Sequence, residues 1–145
     1  MIFIFDLDDT LYDTSKRLDN VTPNFCDMKL YGDAKNFLET SKDEKILVTY
    51  GKRDIQERKI DTLNIRGYFS EIVISETSED KLNCFNNILK KRRTIGAKDI
   101  FVVGDRIDSE IKYGNMLGMT TIYLKRGKYM KLKPSDENEI PKFTI

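Results

Sequence analysis

The chain has 145 residues, 39% of them hydrophobic, enough to bury one core and too few for two domains of usual size. Its 25 basic and 24 acidic residues nearly cancel, so no overall field draws it to nucleic acid or to an anionic membrane. Two cysteines far apart, Cys26 and Cys84, in a chain without histidine argue against a structural disulfide or a zinc site. No apolar run approaches the roughly 20 residues that span a bilayer, and no basic leader precedes the first run. The expectation is one cytoplasmic domain over residues 1–145, with no membrane partner.

Taken in chain order, Ile2, Phe3, Ile4 and Phe5 form a continuous apolar run, the first candidate strand. Residues 12–31 show weak periodicity and several turn formers, which reads as a flap or long loop. A second apolar run covers 46–49. Behind it, Ile55, Ile60 and Leu63 fall near one helical face while Lys52, Arg53, Glu57 and Arg58 take the others, predicting a helix over 53–63. A third strand is expected over 71–74, then a helix carrying Leu82, Phe85 and Leu89 with Ser78 placed as its N-cap. Residues 100–103 give a fourth strand, Ile107, Ile111 and Gly114 a short helical stripe, and Gly118 its stop. A fifth strand covers 120–124, and the tail over 125–145 has no clear pattern. Runs that are apolar throughout suit strands buried on both faces. Alternation with helices then predicts an α/β fold, a Rossmann-like, doubly wound, mainly parallel five-stranded sheet with helices on both faces.

The first strand ends in Asp6-Leu7-Asp8-Asp9-Thr10, and the fourth in Gly104-Asp105-Arg106-Ile107-Asp108-Ser109-Glu110. In a parallel sheet both sets of acids reach the edge where ligands bind. Asp6 and Asp105 are placed to share a cation, and hard oxygen donors suit Mg2+. Aspartates that merely cap turns or helices are the plain alternative. The second strand closes on Thr49-Tyr50-Gly51, offering a hydroxyl and backbone N–H groups to an anion at a helix start. Lys81 heads the next helix, where its ammonium would reach the same edge; taken alone, a lysine in so lysine-rich a chain reads as solvated surface.

In order, Asp6-Leu7-Asp8-Asp9-Thr10, Thr49, Lys81, and Gly104-Asp105 with Glu110 beyond resemble the four motifs of the haloacid dehalogenase-like phosphatases, over residues 2–124. Two positions depart from the pattern. Leu82 follows Lys81 where proline is frequent, and Tyr50 replaces a small or amide residue. The resemblance implies Asp6 as nucleophile forming an aspartyl-phosphate, and Asp8 as general acid and base. It further implies a magnesium ion held by Asp6, the Asp8 carbonyl and Asp105. Thr49, Tyr50 and Gly51 would bind phosphate, with Lys81 countering the transition-state charge. Either Glu110 or Asp108 would orient a metal-bound water, with Glu110 ahead. Because Asp8 supplies a proton that halide release does not need, phosphate ester cleavage is favoured over dehalogenation.

Members of this superfamily often carry a cap inserted after the first motif or the second strand. The short spacings here suggest a capless chain whose open site takes a small phosphorylated metabolite, with a homo-oligomer as one way to close it. Alternatives are a phosphatase acting on a nucleic-acid 3′ end or a phosphoprotein, and a non-catalytic binding protein that kept the fold. Basic runs at 90–93 and 125–133 are read as helix-end and surface charge rather than a nucleic-acid site.

Overall fold

The computed structural model describes residues 1–15, 24–77 and 79–145. Six parallel strands form one sheet in the order β3-β2-β1-β4-β5-β6: β1 (Ile2–Phe5), β2 (Glu44–Tyr50), β3 (Glu71–Ser75), β4 (Ile100–Gly104), β5 (Thr120–Tyr123) and β6 (Phe143–Thr144). The expected five-stranded sheet is thus corrected to six. The tail returns beside β5, where Ile145 N–H donates to the Tyr123 carbonyl and Lys125 N–H to that of Ile145. A two-residue edge strand with no apolar run of its own leaves little periodicity to read.

The helices are α1 (Gly32–Thr40), α2 (Arg53–Thr62), α3 (Asp80–Lys91) and α4 (Lys112–Met116), the last preceded by a π turn, Ile107–Ile111. Side chains along β1 alternate between two cores, because successive residues of a strand point to opposite faces. Phe3 and Phe5 pack with Leu47, Val103, Ala34 and Leu38 of α1 and Ile60 of α2. Ile2 and Ile4 pack with Ile46, Val48, Val102, and Phe85 and Ile88 of α3. Both faces of the central strand are therefore buried, as its unbroken apolar run predicted. Stacked and edge-on rings reinforce the first core, Phe3 lying 4.9 Å from Phe37 and 5.0 Å from Phe101.

Helix α1 was not anticipated, although Ala34, Phe37 and Leu38 carry its apolar face at helical spacing. The expected N-cap Ser78 and part of the 12–31 segment lie outside the described residues. The described ends of that segment leave and return side by side, Tyr12 bridging Leu30, with a 3-10 turn at Phe25–Asp27. No helix among the described residues is long and apolar enough to cross a membrane.

Candidate active site

Parallel register places the carboxyl ends of β1, β2 and β4 at one edge. The chain steps from β1 to β2 on one side and reaches β4 on the other, so the crevice opens at the point where strand order reverses. A cavity of about 320 Å³ lies there. Its floor holds Asp6 from β1, Asp105 from β4, and Glu110 from the π turn, three buried carboxylates with one oxygen each inside a span of 4.8 Å. Gly104 permits this: a Cβ there would sit 2.7 Å from Glu110 Cβ, so only glycine lets the π turn fold back against the strand end.

Lys81 is 3% exposed, which corrects the surface reading of that residue taken alone. The inward stripe of α3 is Lys81, Phe85 and Ile88, about one residue round from the stripe the sequence suggested. Its ammonium donates to Asp6 Oδ1 at 2.6 Å and to Glu110 Oε1. The Thr10 hydroxyl lies 3.4 Å from both Asp6 Oδ2 and Asp105 Oδ1. One lysine thus faces three carboxylates. Burial pushes Asp6 up to about 7, Lys81 pulling the other way and Glu110 and Asp8 adding repulsion. Burial, with the charges of Asp6, Glu110 and Asp9, pushes Asp105 up to about 9. Burial opposes charge on Lys81 as well, but Asp6 and Glu110 outweigh it and hold the ammonium firmly protonated.

The donor set fits a divalent cation. Glu110 Oε2 is a buried oxygen without a hydrogen-bond partner among the described residues, beside two carboxyls that burial and neighbouring carboxylates push up. All the donors are hard oxygens, which suit magnesium. Asp108, the competing candidate, points elsewhere: both its oxygens accept from Arg106 at 3.0 Å.

Asp8 lies two residues from Asp6 in a different setting. Lys59 Nζ donates to it at 2.8 Å, the Tyr12 hydroxyl at 2.6 Å and Gln56 Nε2 at 3.2 Å. Burial opposes its ionisation, yet Lys59 and these hydrogen bonds prevail and hold the carboxyl below its usual range. The sequence reading required Asp6 ionised and Asp8 able to hold a proton; the protein's own groups push the two the other way, because Asp6 is buried and, among the described residues, the ammonium it pairs with is shared with Glu110.

The expected phosphate binders after β2 are divided by the structure. Thr49 is fully buried, is not among the residues that line the cavity, and accepts from Gln56 Nε2 at 2.7 Å. Tyr50 and Gly51 line the cavity, but the Gly51 N–H donates to the Ser75 carbonyl at 3.1 Å and is unavailable to an anion. Gln56, Lys59, Tyr12 and Thr10 escaped the sequence reading. A signal existed for two of them, since Gln56, Lys59 and Ile60 form the inward face of α2, and polar residues on an inward stripe mark a helix that borders a site.

The family model described as haloacid dehalogenase-like hydrolase matches residues 18–124, a span that holds Thr49, Lys81, Asp105 and Glu110. The chain is 34% identical over 100 residues to a glyceraldehyde 3-phosphate phosphatase of Methanopyrus kandleri, and 32% identical over 102 residues to one of Methanocaldococcus jannaschii. Each match covers 68% of this chain but only 43% of the relative, so the chain spans less than half the length of these proteins. In fold it is similar to a predicted phosphoglycolate phosphatase from Haemophilus somnus, with a TM-score of 0.75 at 15% identity over 99% of this chain and 92% of that one. With the family matched over most of its length and the family's acidic strand ends folded into one crevice, the chain belongs to the haloacid dehalogenase-like hydrolases.

Proposed function

We propose that this protein is a magnesium-dependent phosphomonoester hydrolase that works through an aspartyl-phosphate on Asp6 and acts on a small phosphorylated metabolite. The observation that carries the reading is the division of labour between two neighbouring carboxyls: Asp6 sits in a cation-ready acidic cluster, and Asp8 stands apart in a cradle of donors on the same cavity. The phosphatase names of the two relatives support it.

On this reading an oxygen of Asp6 attacks phosphorus as the bond to the ester oxygen breaks, and the departing alkoxide takes a proton from Asp8. Water then attacks the aspartyl-phosphate, Asp8 accepts its proton, and phosphate leaves with the Asp6 carboxylate restored. Lys81, fixed against Asp6, counters charge on the phosphoryl oxygens, and Thr49 supports the site by accepting from Gln56, which in turn donates to Asp8. Lys59 holds Asp8 ionised in the free protein; a phosphate dianion arriving nearby opposes that charge and favours the protonated form needed first. Asp6, Asp105 and Glu110 would hold magnesium, with the Asp8 carbonyl as the family resemblance implies. Bound there, the ion supplies the positive charge that lets Asp6 and Asp105 ionise together.

The test is phosphate release from an aryl phosphate and from glyceraldehyde 3-phosphate, with magnesium and with EDTA. Release of phosphate from both with magnesium and from neither with EDTA is expected. Release that is indifferent to EDTA overturns the metal assignment, and the absence of release from any phosphate monoester overturns the reading.

A further inference from the structure

Among the cavity-lining residues that the proposed chemistry does not use, Arg106, Lys128 and Tyr129 stand together. Arg106 spends Nε and Nη2 on the two oxygens of Asp108, and its guanidinium lies 4.3 Å from the Tyr129 ring centroid. The fork is thereby fixed, while Nη1 makes no hydrogen bond among the described residues. Lys128 Nζ stands 5.0 Å from the centre of the same ring, without a carboxylate partner among the described residues. Lys59 and Lys81 are committed to Asp8 and to Asp6 with Glu110, while Lys52, also on the cavity, is exposed at the N-cap of α2. Arg106 and Lys128 are the pair that share the Tyr129 ring.

The loop that carries Lys128 and Tyr129 is fastened to the loop that carries Asp6 and Asp8. Lys128 N–H donates to Asp9 Oδ2 at 3.4 Å, and Asp9, buried in a left-handed conformation at φ 57°, also accepts from the Thr14 N–H and hydroxyl. Gly127, at φ +77°, packs so closely that a Cβ would lie 2.4 Å from Asp9 Cβ. Arg126 ties the same loop to Asp33 and to the Thr10 carbonyl. The Lys128 backbone and the Arg106 guanidinium are thus anchored on the wall of the cavity that holds Asp6 and Asp8. A guanidinium fixed with a spare N–H edge, beside an exposed ammonium, is a receptor for an anion that costs little ordering of the arginine on binding.

We propose that Arg106 and Lys128, on the Tyr129 platform, bind a second anionic group of the substrate, so that the preferred substrates are monophosphates of small acids, ending in a carboxylate or a second phosphate, rather than esters with a neutral far end. The inference rests on the phosphohydrolase reading above and narrows its substrate class.

The experiment compares a two-carbon phosphate ester ending in a carboxylate with its primary amide, in the wild type and in Lys128→Gln, Lys128→Arg and Arg106→Gln. In parallel, calorimetry measures binding of the matched phosphonates, which cannot be hydrolysed. The expected result is a preference of about tenfold or more in kcat/KM for the acid, carried by KM, that shrinks to about twofold in Lys128→Gln and Arg106→Gln and persists in Lys128→Arg. A wild type that treats acid and amide alike, or a Lys128→Gln variant that slows both equally, overturns the inference and leaves the phosphatase reading standing. If neither ester is hydrolysed, the phosphonates decide: tighter binding of the acid, lost in Lys128→Gln, upholds the anion site while the phosphatase reading falls, and equal binding overturns the site as well.

Discussion

Asp6 and Asp8 are separated by one residue, yet the fold gives them opposite surroundings. Asp6 shares a single lysine with Glu110 and lies against Asp105, whereas Asp8 has Lys59 to itself and accepts from Tyr12 and Gln56 as well. The first carboxyl is pushed up and the second pulled down. Residue type therefore says little about the role of either; the ratio of carboxylates to cations around each does. The Asp6 region is short of positive charge and has a buried oxygen to spare, which is what a cation site looks like before the cation binds. The Asp8 region is balanced by the protein alone.

The largest effect is expected where the comparison is broken at its reacting atom. Asp6→Asn removes the nucleophile and should lower turnover by about 10³-fold or more, while relieving crowding in the cluster and so leaving the melting temperature of metal-free protein unchanged or higher. Steady-state kinetics and calorimetric melting check both halves. Activity within tenfold of wild type rejects Asp6 as nucleophile.

A smaller effect follows from unbalancing the other side. In Lys59→Met, Asp8 loses its cation in a partly buried setting, at a cost of about 2 kcal/mol at pH 7, reduced from the fully buried case because Asp8 keeps some solvent and two hydrogen bonds. Asp8 has a lowered pKa in the wild type, so its stabilising contribution is present above the usual carboxylate range and is lost on acidification. The gap between variant and wild type should accordingly be wide at pH 7 and narrow towards pH 4 in denaturant unfolding. A gap independent of pH would mean that Lys59 acts through packing.

The smallest effect sharpens the contrast without mutation. Asp6 and Asp105 are raised above the unfolded value of 3.8, to about 7 and about 9. Protons kept by the folded state and released by the unfolded one make the contribution of these two groups to metal-free stability greatest in acid, and it is lost as pH rises through 7 and then 9. Magnesium, by taking the place of those protons, should flatten the decline. Melting curves from pH 5 to 9 with magnesium and with EDTA test this; parallel curves would place no cation in the cluster.

Much of the fold was legible because its central strands are buried on both faces and so carry unbroken apolar runs, from Ile2 to Phe5 and from Ile100 to Val103. β6 and α1 were missed for different reasons. Phe143 and Thr144 form an edge pair with almost no pattern, while the signal of Ala34, Phe37 and Leu38 was present and unread. Within the site, acids at strand ends announced Asp6 and Asp105, and Glu110 gathers with them through a π turn whose extra backbone residue no spacing rule resolves from the sequence. Lys59 and Gln56 carried only the weak signal of polar residues on the inward stripe of Ile60, and nothing in that stripe names Asp8 as what they meet. The protonation order of Asp6 and Asp8 lay further out of reach, since it depends on how many carboxylates share one ammonium, a property of the assembled crevice.

The account turns on Asp6 as the group that carries the phosphoryl, and the most direct measurement is chemical capture at that residue. The protein is incubated with magnesium and a phosphate monoester, quenched, and treated with borohydride, which reduces an acyl phosphate to the alcohol. Peptide mass spectrometry should then find homoserine at position 6, absent without substrate and absent in the presence of EDTA. Homoserine at position 8 instead, or an unmodified Asp6 under turnover conditions that accumulate the intermediate, would contradict it.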